Sequence, residues 1–278
     1  MKYVKKFNSV PSLKKGVNKQ SGRNNIGKIT TRHHGGGHKQ AIRNIDWSRI
    51  NKKAVIVGFE YDPIRTASLI KLYHEDASTS NNKNYSYVIA PDNAKLFQEI
   101  NTFDNQASKE IISNMLLKPG DAAPISFFEV GDFIHSLEAF PGQGSIFSRA
   151  SGSYCQIRSI NQIANSFIKI KPIDKFAIVR LPSGNKRYIN INAQATLGIV
   201  YQDNKIKRNI QKAGRIRWLG WRPSVRGVAI NPVDHPHGGG QGKTSGGRPS
   251  VTFKSWPTKG QPTRNPKRKN NFILKLNF

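Results

Sequence analysis

Short runs of β-branched and aromatic residues, separated by turn residues, recur along the middle of the chain. Ala54-Val55-Ile56-Val57-Gly58-Phe59, Ala67 to Tyr73 and Tyr85 to Ala90 come first. Asp132 to Leu137, Tyr154 to Ile160, Phe167 to Ile170 and Phe176 to Leu181 follow. Pro182-Ser183-Gly184-Asn185 reads as a turn, with Lys186 to Ile191 as the returning strand of a hairpin. Strands this short, at this spacing, predict small antiparallel barrels or sandwiches. The Pro119-Gly120 to Pro124 stretch separates two such modules, 41–118 and 119–200. Between them, Ala94 to Ile100 and Ser108 to Leu117 read either as helices or as a polar insertion.

The flanks, 1–40 and 201–278, have no sustained period and predict irregular basic extensions. Residues 212–268 are punctuated by glycine and proline, with cations and aromatic rings between them. Alone in water such a segment buries too little apolar surface to offset its ordering entropy. It is therefore expected to order only against a partner. RNA suits, because phosphate contacts and base stacking replace a core.

Charge identifies the partner more sharply. The 278 residues carry 45 Lys plus Arg against 16 Asp plus Glu, a net +29, and only 36 % are apolar. A compact particle with that excess repels itself unless a polyanion neutralises it. Residues 1–53 hold 14 basic and 1 acidic side chains, and residues 201–278 hold 17 and 2, so the flanks supply 28 of the 29 net charges. Residues 54–124 are net negative, with 6 against 9. No apolar run approaches the ~18 residues of a membrane span, and the basic stretches lack the apolar face of an interfacial helix. No secretory leader is evident in Met1 to Lys15. The single cysteine, Cys155, excludes an intrachain disulfide framework and a multi-thiolate zinc site; its neighbours suggest a buried strand thiol.

Two clusters carry the candidate chemistry. Ser21 to Gln40 interleaves Arg23, Lys28, Arg32 and Lys39 with His33, His34, His38 and the triple glycine Gly35–Gly37. Arginine forks match phosphate, and glycine permits close backbone approach. The three histidines have no carboxylate or thiol companion, which argues against a metal site. The second cluster, Lys212 to Gly247, interleaves Lys212, Arg215, Arg217, Arg222 and Arg226 with Trp218 and Trp221. Cations beside flat rings favour single-stranded or structured RNA. Asn231-Pro232-Val233-Asp234-His235-Pro236-His237-Gly238-Gly239-Gly240 follows, and then Gln241-Gly242-Lys243-Thr244. This last stretch resembles the end of a nucleotide-phosphate loop, but the position needing the first glycine is His237, and prolines replace the preceding strand. Asp234, His235 and His237 lack a positioned nucleophile, so the histidines are expected to position RNA rather than transfer protons. The residues alone leave two rivals, a nucleic-acid-binding protein outside the ribosome and, more remotely, an NTPase.

Ser21 to Gln40, Glu60-Tyr61-Asp62-Pro63, Ala195-Thr196-Leu197-Gly198 and Arg222 to Gly240 together resemble the universal large-subunit ribosomal protein two family, of bacterial or organellar type, over residues 20–270. The resemblance implies an all-β fold: an oligonucleotide-binding (OB) barrel followed by an SH3-like barrel, between long extensions threaded into large-subunit rRNA. It implies a structural, non-enzymatic role in translation, in subunit association and near the peptidyl transferase region. Its partners would be that rRNA, neighbouring ribosomal proteins and the small subunit at a bridge, with no membrane and no homo-oligomer. No cofactor is implied beyond Mg2+ held by rRNA. RNA contacts are implied at Arg23, Lys28, Arg32, His33, His38 and Lys39, at Arg149 in the loosely matching Ser148 to Gly152 turn, and along Asn231 to Gly240. The sequence departs from the family pattern in its shorter leader, its long 91–118 region and Phe253-Lys254-Ser255-Trp256-Pro257. Lys, Asn and Ile, the residues of A/T-rich codons, number 28, 25 and 30. With the Gly242 to Arg248 stretch, similar to mitochondrial versions, this points to a mitochondrial ribosome, with a plastid or an A/T-rich bacterium as alternatives.

Overall fold

A computed structural model describes residues 9–49, 53–74, 84–103, 117–163, 175–202, 210–242, 244–265 and 272–274. The chain forms two compact units, one from residues 1–17, 39–208 and 270–278, the other from 18–38 and 209–269. The first unit holds the β structure, and the fold is all-β.

Its first sheet has the order β5-β4-β3-β6, from β3 (Lys53–Glu60), β4 (Leu69–Tyr73), β5 (Tyr85–Ile89) and β6 (Glu99–Asn101), all antiparallel. The continuous apolar runs arise because both faces are covered. Ile56, Ile70, Leu72, Val88 and Ile100 point to one core, while Leu69, Tyr87 and Ile89 point to another with Ile45 and Val200. Burying each such side chain contributes about 1.5–3 kcal/mol. The second core is closed by Val10 and Leu13 from the N-terminal flank and by Trp47.

That flank is less irregular than its composition suggests. Strand β1 (Lys14–Gly16) pairs with β2 (Ala41–Arg43), so Val17 and Gln40 also meet. The Val10 amide donates to the Tyr87 hydroxyl at 3.0 Å. Tyr87 itself donates to Glu60, whose other oxygen accepts from Arg43 at 2.8 Å. Burial, reinforced by the bond to Glu60, pushes the Tyr87 phenol up to about 12.

Seven antiparallel strands build the second sheet, with the order β15-β13-β12-β11-β8-β14-β7. They are β7 (Ala122–Pro124), β8 (Phe133–His135), β11 (Cys155–Ile163), β12 (Lys175–Arg180), β13 (Lys186–Asn190), β14 (Gln194–Leu197) and β15 (Ile273–Leu274). A two-stranded sheet, β9 (Leu137–Glu138) with β10 (Ser145–Phe147), packs beside it. Ile125, Ile134, Leu137, Ile157, Val179 and Ile189 fill this core. Cys155 is the buried strand thiol expected, pushed up to about 12 by burial. The turn at 182–185 closes as read, with Gly184 at φ +88° and Leu181 paired to Asn185.

Several expectations need correction. Ala94 to Ile100 is not helical: turns lead into β6, which pairs with β3. The run from Asp132 to Leu137 is broken by Ser136 at φ +49°, leaving β8 and β9. The C-terminal flank contributes β15, which extends the sheet at Lys186 and Arg187, and a short helix, α1 (Ala213–Trp218). Phe167 to Ile170, and Ser108 to residue 116, lie outside the described residues. Among the described residues no helix is long and apolar enough to cross a membrane.

Candidate nucleic-acid interface

Within the first unit, three residues far apart in sequence converge. The guanidinium carbons of Arg65 and Arg149 each lie 4.8 Å from the centroid of the Trp47 ring. Trp47 is fixed from below: its carbonyl accepts from the Ser145 amide at 3.2 Å, and Gly144 leaves room for its Cβ. Arg65 Nε lies 3.3 Å from the buried carboxylate of Asp62, and Arg149 donates to the Ser145 carbonyl at 3.3 Å. Burial, and then the nearby Arg65 charge, lower the Arg149 pKa. Two like charges share one ring, and among the described residues only Arg65 has a carboxylate within ion-pair distance, so the site carries spare positive charge. The turn from Ser148 to Gly152 positions Arg149, tied across by Ser151 N to Thr66 Oγ1 at 3.2 Å. Of Trp47, Arg65 and Arg149, only Arg149 is among the RNA contacts that the resemblance implies. Arg65 lies just past the Glu60-Tyr61-Asp62-Pro63 stretch, and Trp47 between the leader and the first strand, so neither stood in a basic cluster.

The second unit brings the two basic clusters together. Segment 33–38 runs alongside 218–222: Gly35 N donates to Gly220 O at 2.9 Å, His38 N to Trp218 O at 2.9 Å, and Arg222 N to His33 O at 2.9 Å. The His34 and Trp221 rings pack 4.3 Å apart. Arg32 stacks on Phe253 at 4.6 Å, and Lys212 on Trp218 at 5.3 Å. Arg23, Lys28, Arg32, His33, His38, Lys212, Arg217, Trp218, Arg222, Arg226 and Asn231 are exposed, and Arg215 is half-buried. Lys39 is also exposed but falls within the first unit. Lys243 lies outside the described residues. The departing Phe253 to Pro257 stretch forms a tight reversal, with Ser255 at φ +62° and Thr252 N donating to Trp256 O at 2.8 Å.

The glycines of the 238–240 run are required by the packing of their own loop. A Cβ on Gly238 would sit 2.3 Å from Asn231 O, one on Gly239 2.6 Å from Pro232, and one on Gly240 2.6 Å from Thr244. These three glycines let the loop close on itself. His235 and His237 are likewise half-buried inside it. His235 Nδ1 accepts from His237 N at 3.0 Å, and His237 Nε2 accepts from Val251 N at 3.3 Å. A neutral imidazole has one lone pair, and each ring has committed its own to the loop. Each keeps an N–H to donate. The Thr244 hydroxyl donates to Gly239 O, and no helix follows it among the described residues, unlike a nucleotide-phosphate loop.

Gly37 makes the interlock testable. It has φ +80°, and an added Cβ would lie 2.7 Å from both Gly220 N and Trp218 O, which are backbone atoms. The left-handed conformation alone costs a non-glycine residue about 1–2 kcal/mol. Gly37→Ala is therefore expected to speed amide exchange at 33–38 and 218–222 by about tenfold or more, with the β sheets unaffected.

An all-β unit with a guanidinium clamp and a unit rich in cations and aromatic rings together define an RNA-binding protein. Comparison with known proteins specifies which. Residues 10–102 match the family described as Ribosomal Proteins L2, RNA binding N-terminal domain, and residues 118–255 match its C-terminal domain. The large ribosomal subunit protein uL2 of Rickettsia canadensis (strain McKiel) is 41 % identical over 266 residues, covering 95 % of this chain and 88 % of that protein. The uL2m protein of Reclinomonas americana is 41 % identical over 273 residues, covering 97 % and 88 %. The chain belongs to the ribosomal protein L2 family, and its role is structural, within the large ribosomal subunit.

Proposed function

We propose that the chain staples large-subunit rRNA at two places, a phosphate held between Arg65 and Arg149 and an irregular RNA surface followed by the interlocked basic unit. The observation that carries this is charge density. Residues 18–38 and 209–269 hold 17 basic and 1 acidic side chains, interleaved with Trp218, Trp221, Phe253 and Trp256. RNA contacts are assigned to the exposed cations among them, to Lys39, and to Lys243 by sequence alone. The loop from Asn231 to Gly240 is the element that approaches catalytic RNA and the subunit interface. Its histidines donate hydrogen bonds and do not relay protons, since their lone pairs are already used. The protein acts as one copy, without a cofactor of its own, any Mg2+ being held by the RNA. Neighbouring ribosomal proteins and a small-subunit bridge complete its partners. Its codon-biased composition and its similarity to a uL2m protein support a mitochondrial ribosome.

The test is salt dependence. Each phosphate neutralised steepens the fall of log K with log salt by about 0.7–0.9. A chain in which 18–38 and 209–269 are replaced by short Gly/Ser linkers keeps β1 and β15 and should bind large-subunit RNA more weakly, with a visibly shallower slope. Equal slopes for the two proteins would overturn the assignment.

A further inference from the structure

Side chains on the outer face of the second sheet line up across four strands. Register places Phe133 on β8 opposite Gln156 on β11, Gln156 opposite Arg180 on β12, and Arg180 opposite Lys186 on β13. Directly opposed residues share a face, and their neighbours Ile134, Cys155, Ile157 and Val179 supply the core on the other side. The row thus runs from an aromatic ring through an amide to two cations, at about 4.8 Å per strand. Tyr154 packs edge to face on Phe133, ring centroids 4.9 Å apart, and the two remain 44 % and 42 % exposed. Tyr154, Gln156 and Arg180 line an open groove of about 430 Å3, bounded by Gly152, Ser153 and the 181–184 turn. Among the described residues no carboxylate lines it.

Resting on the RNA-binding reading above, we propose that this groove holds one unpaired nucleotide of RNA. Its base stacks on the Tyr154–Phe133 pair and its phosphate lies toward Arg180 and Lys186. Sequence-tolerant capture of single-stranded RNA takes this form, a flat ring for the base beside cations for the backbone. Gln156 can orient the base. Its Nε2 donates to Gly131 O at 3.2 Å, and a carbonyl can only accept, so the amide orientation is fixed. The Oε1 is left as an acceptor for a donor on the base edge, whether an exocyclic amino group or a ring N–H. A proline-rich peptide would also find rings here, but it would leave both cations without an anion.

Native large subunits irradiated with ultraviolet light and digested should yield a nucleotide adduct on the peptide containing Tyr154 or Phe133. Subunits assembled with Tyr154→Leu, and separately with Arg180→Gln, should then expose one base to chemical probing. Its reactivity should rise about fivefold or more, the lower end of a base–aromatic stacking contribution. A cross-link from Tyr154 to another protein would overturn the proposal in favour of a peptide partner. The groove assignment also falls if no base changes reactivity in either variant while Arg65→Gln and Arg149→Gln still weaken RNA binding. If those arginine variants are silent too, the RNA-binding reading fails with it.

Discussion

Replacing Arg65 and Arg149 together with glutamine is expected to weaken binding to large-subunit RNA by about a hundredfold or more, since a hydrogen bond to a charged group contributes about 1.5–3 kcal/mol. The salt slope should fall by about 0.7–0.9, for the one phosphate no longer held. The geometry also predicts what does not change. Both guanidiniums sit 4.8 Å from the Trp47 centroid, and Asp62 pairs with Arg65. In the free protein their mutual repulsion, which helps lower the Arg149 pKa, is uncompensated. Removing Arg149 should leave the melting temperature unchanged or slightly higher, whereas removing Arg65 leaves the buried Asp62 carboxylate without its partner and should lower it. A purely structural role for Arg149 would give the opposite pattern, lower stability with affinity falling only in proportion. Lysine at either position keeps the charge but loses the planar fork and the stacking surface, so Arg149→Lys should recover only part of the affinity. Filter binding at several salt concentrations, beside thermal denaturation of the free proteins, separates the two cases.

How much of this was legible in the sequence depends on where each signal resides. Strands β3, β4, β5, β12 and β13 were readable because their apolar runs are buried on one or both faces and their turns carry proline and glycine. Strand β6 was not, because Glu99-Ile100-Asn101 has no pattern of its own and forms by pairing with Lys53 to Val55. Strand β7 is Ala122-Ala123-Pro124, fully buried small residues with poor intrinsic strand preference. Strand β1, Lys14-Lys15-Gly16, is exposed throughout and owes its existence to β2. The same limit governs the interface. Composition found both basic clusters, but their interlock through Gly35, Gly37 and Gly220 depends on residues some 180 positions apart. The clamp was hidden for a related reason. Trp47, Arg65 and Arg149 come from three separate loops, and no window along the chain contains two of them with the third.

The protein should also lose stability steeply as the pH falls below about 6.5, through a histidine that stands in no motif. His135, on β8 opposite Thr196, is fully buried. Its Nδ1 lies 3.0 Å from Ser136 Oγ, and its Nε2 has no hydrogen-bond partner among the described residues. Burial first, and then the positive charge of Arg49, lower its pKa to about 3. Arg49 stays cationic at neutral pH despite being lowered to about 10 by burial, with Asp46 and Asp121 partly opposing. The folded state therefore keeps His135 neutral down to about pH 3, while the unfolded chain takes up a proton near 6.5. Between these values the unfolded state binds the extra proton, so stability falls as pH falls, by up to about 1.4 kcal/mol per pH unit. Above 6.5 both states are neutral and this group contributes no slope. His74 is also lowered, chiefly by burial, and adds to the loss in the same direction. Asp121 is raised by burial and works the other way nearer its own range, so the clean window is pH 6 to 5. His135→Gln cannot titrate there. Whatever its absolute stability, urea unfolding followed by tryptophan fluorescence should give it a pH slope shallower than the parent's by about 1 kcal/mol per unit. Parallel slopes for the two proteins would mean that His135 is protonated in the fold and that its pocket holds the charge.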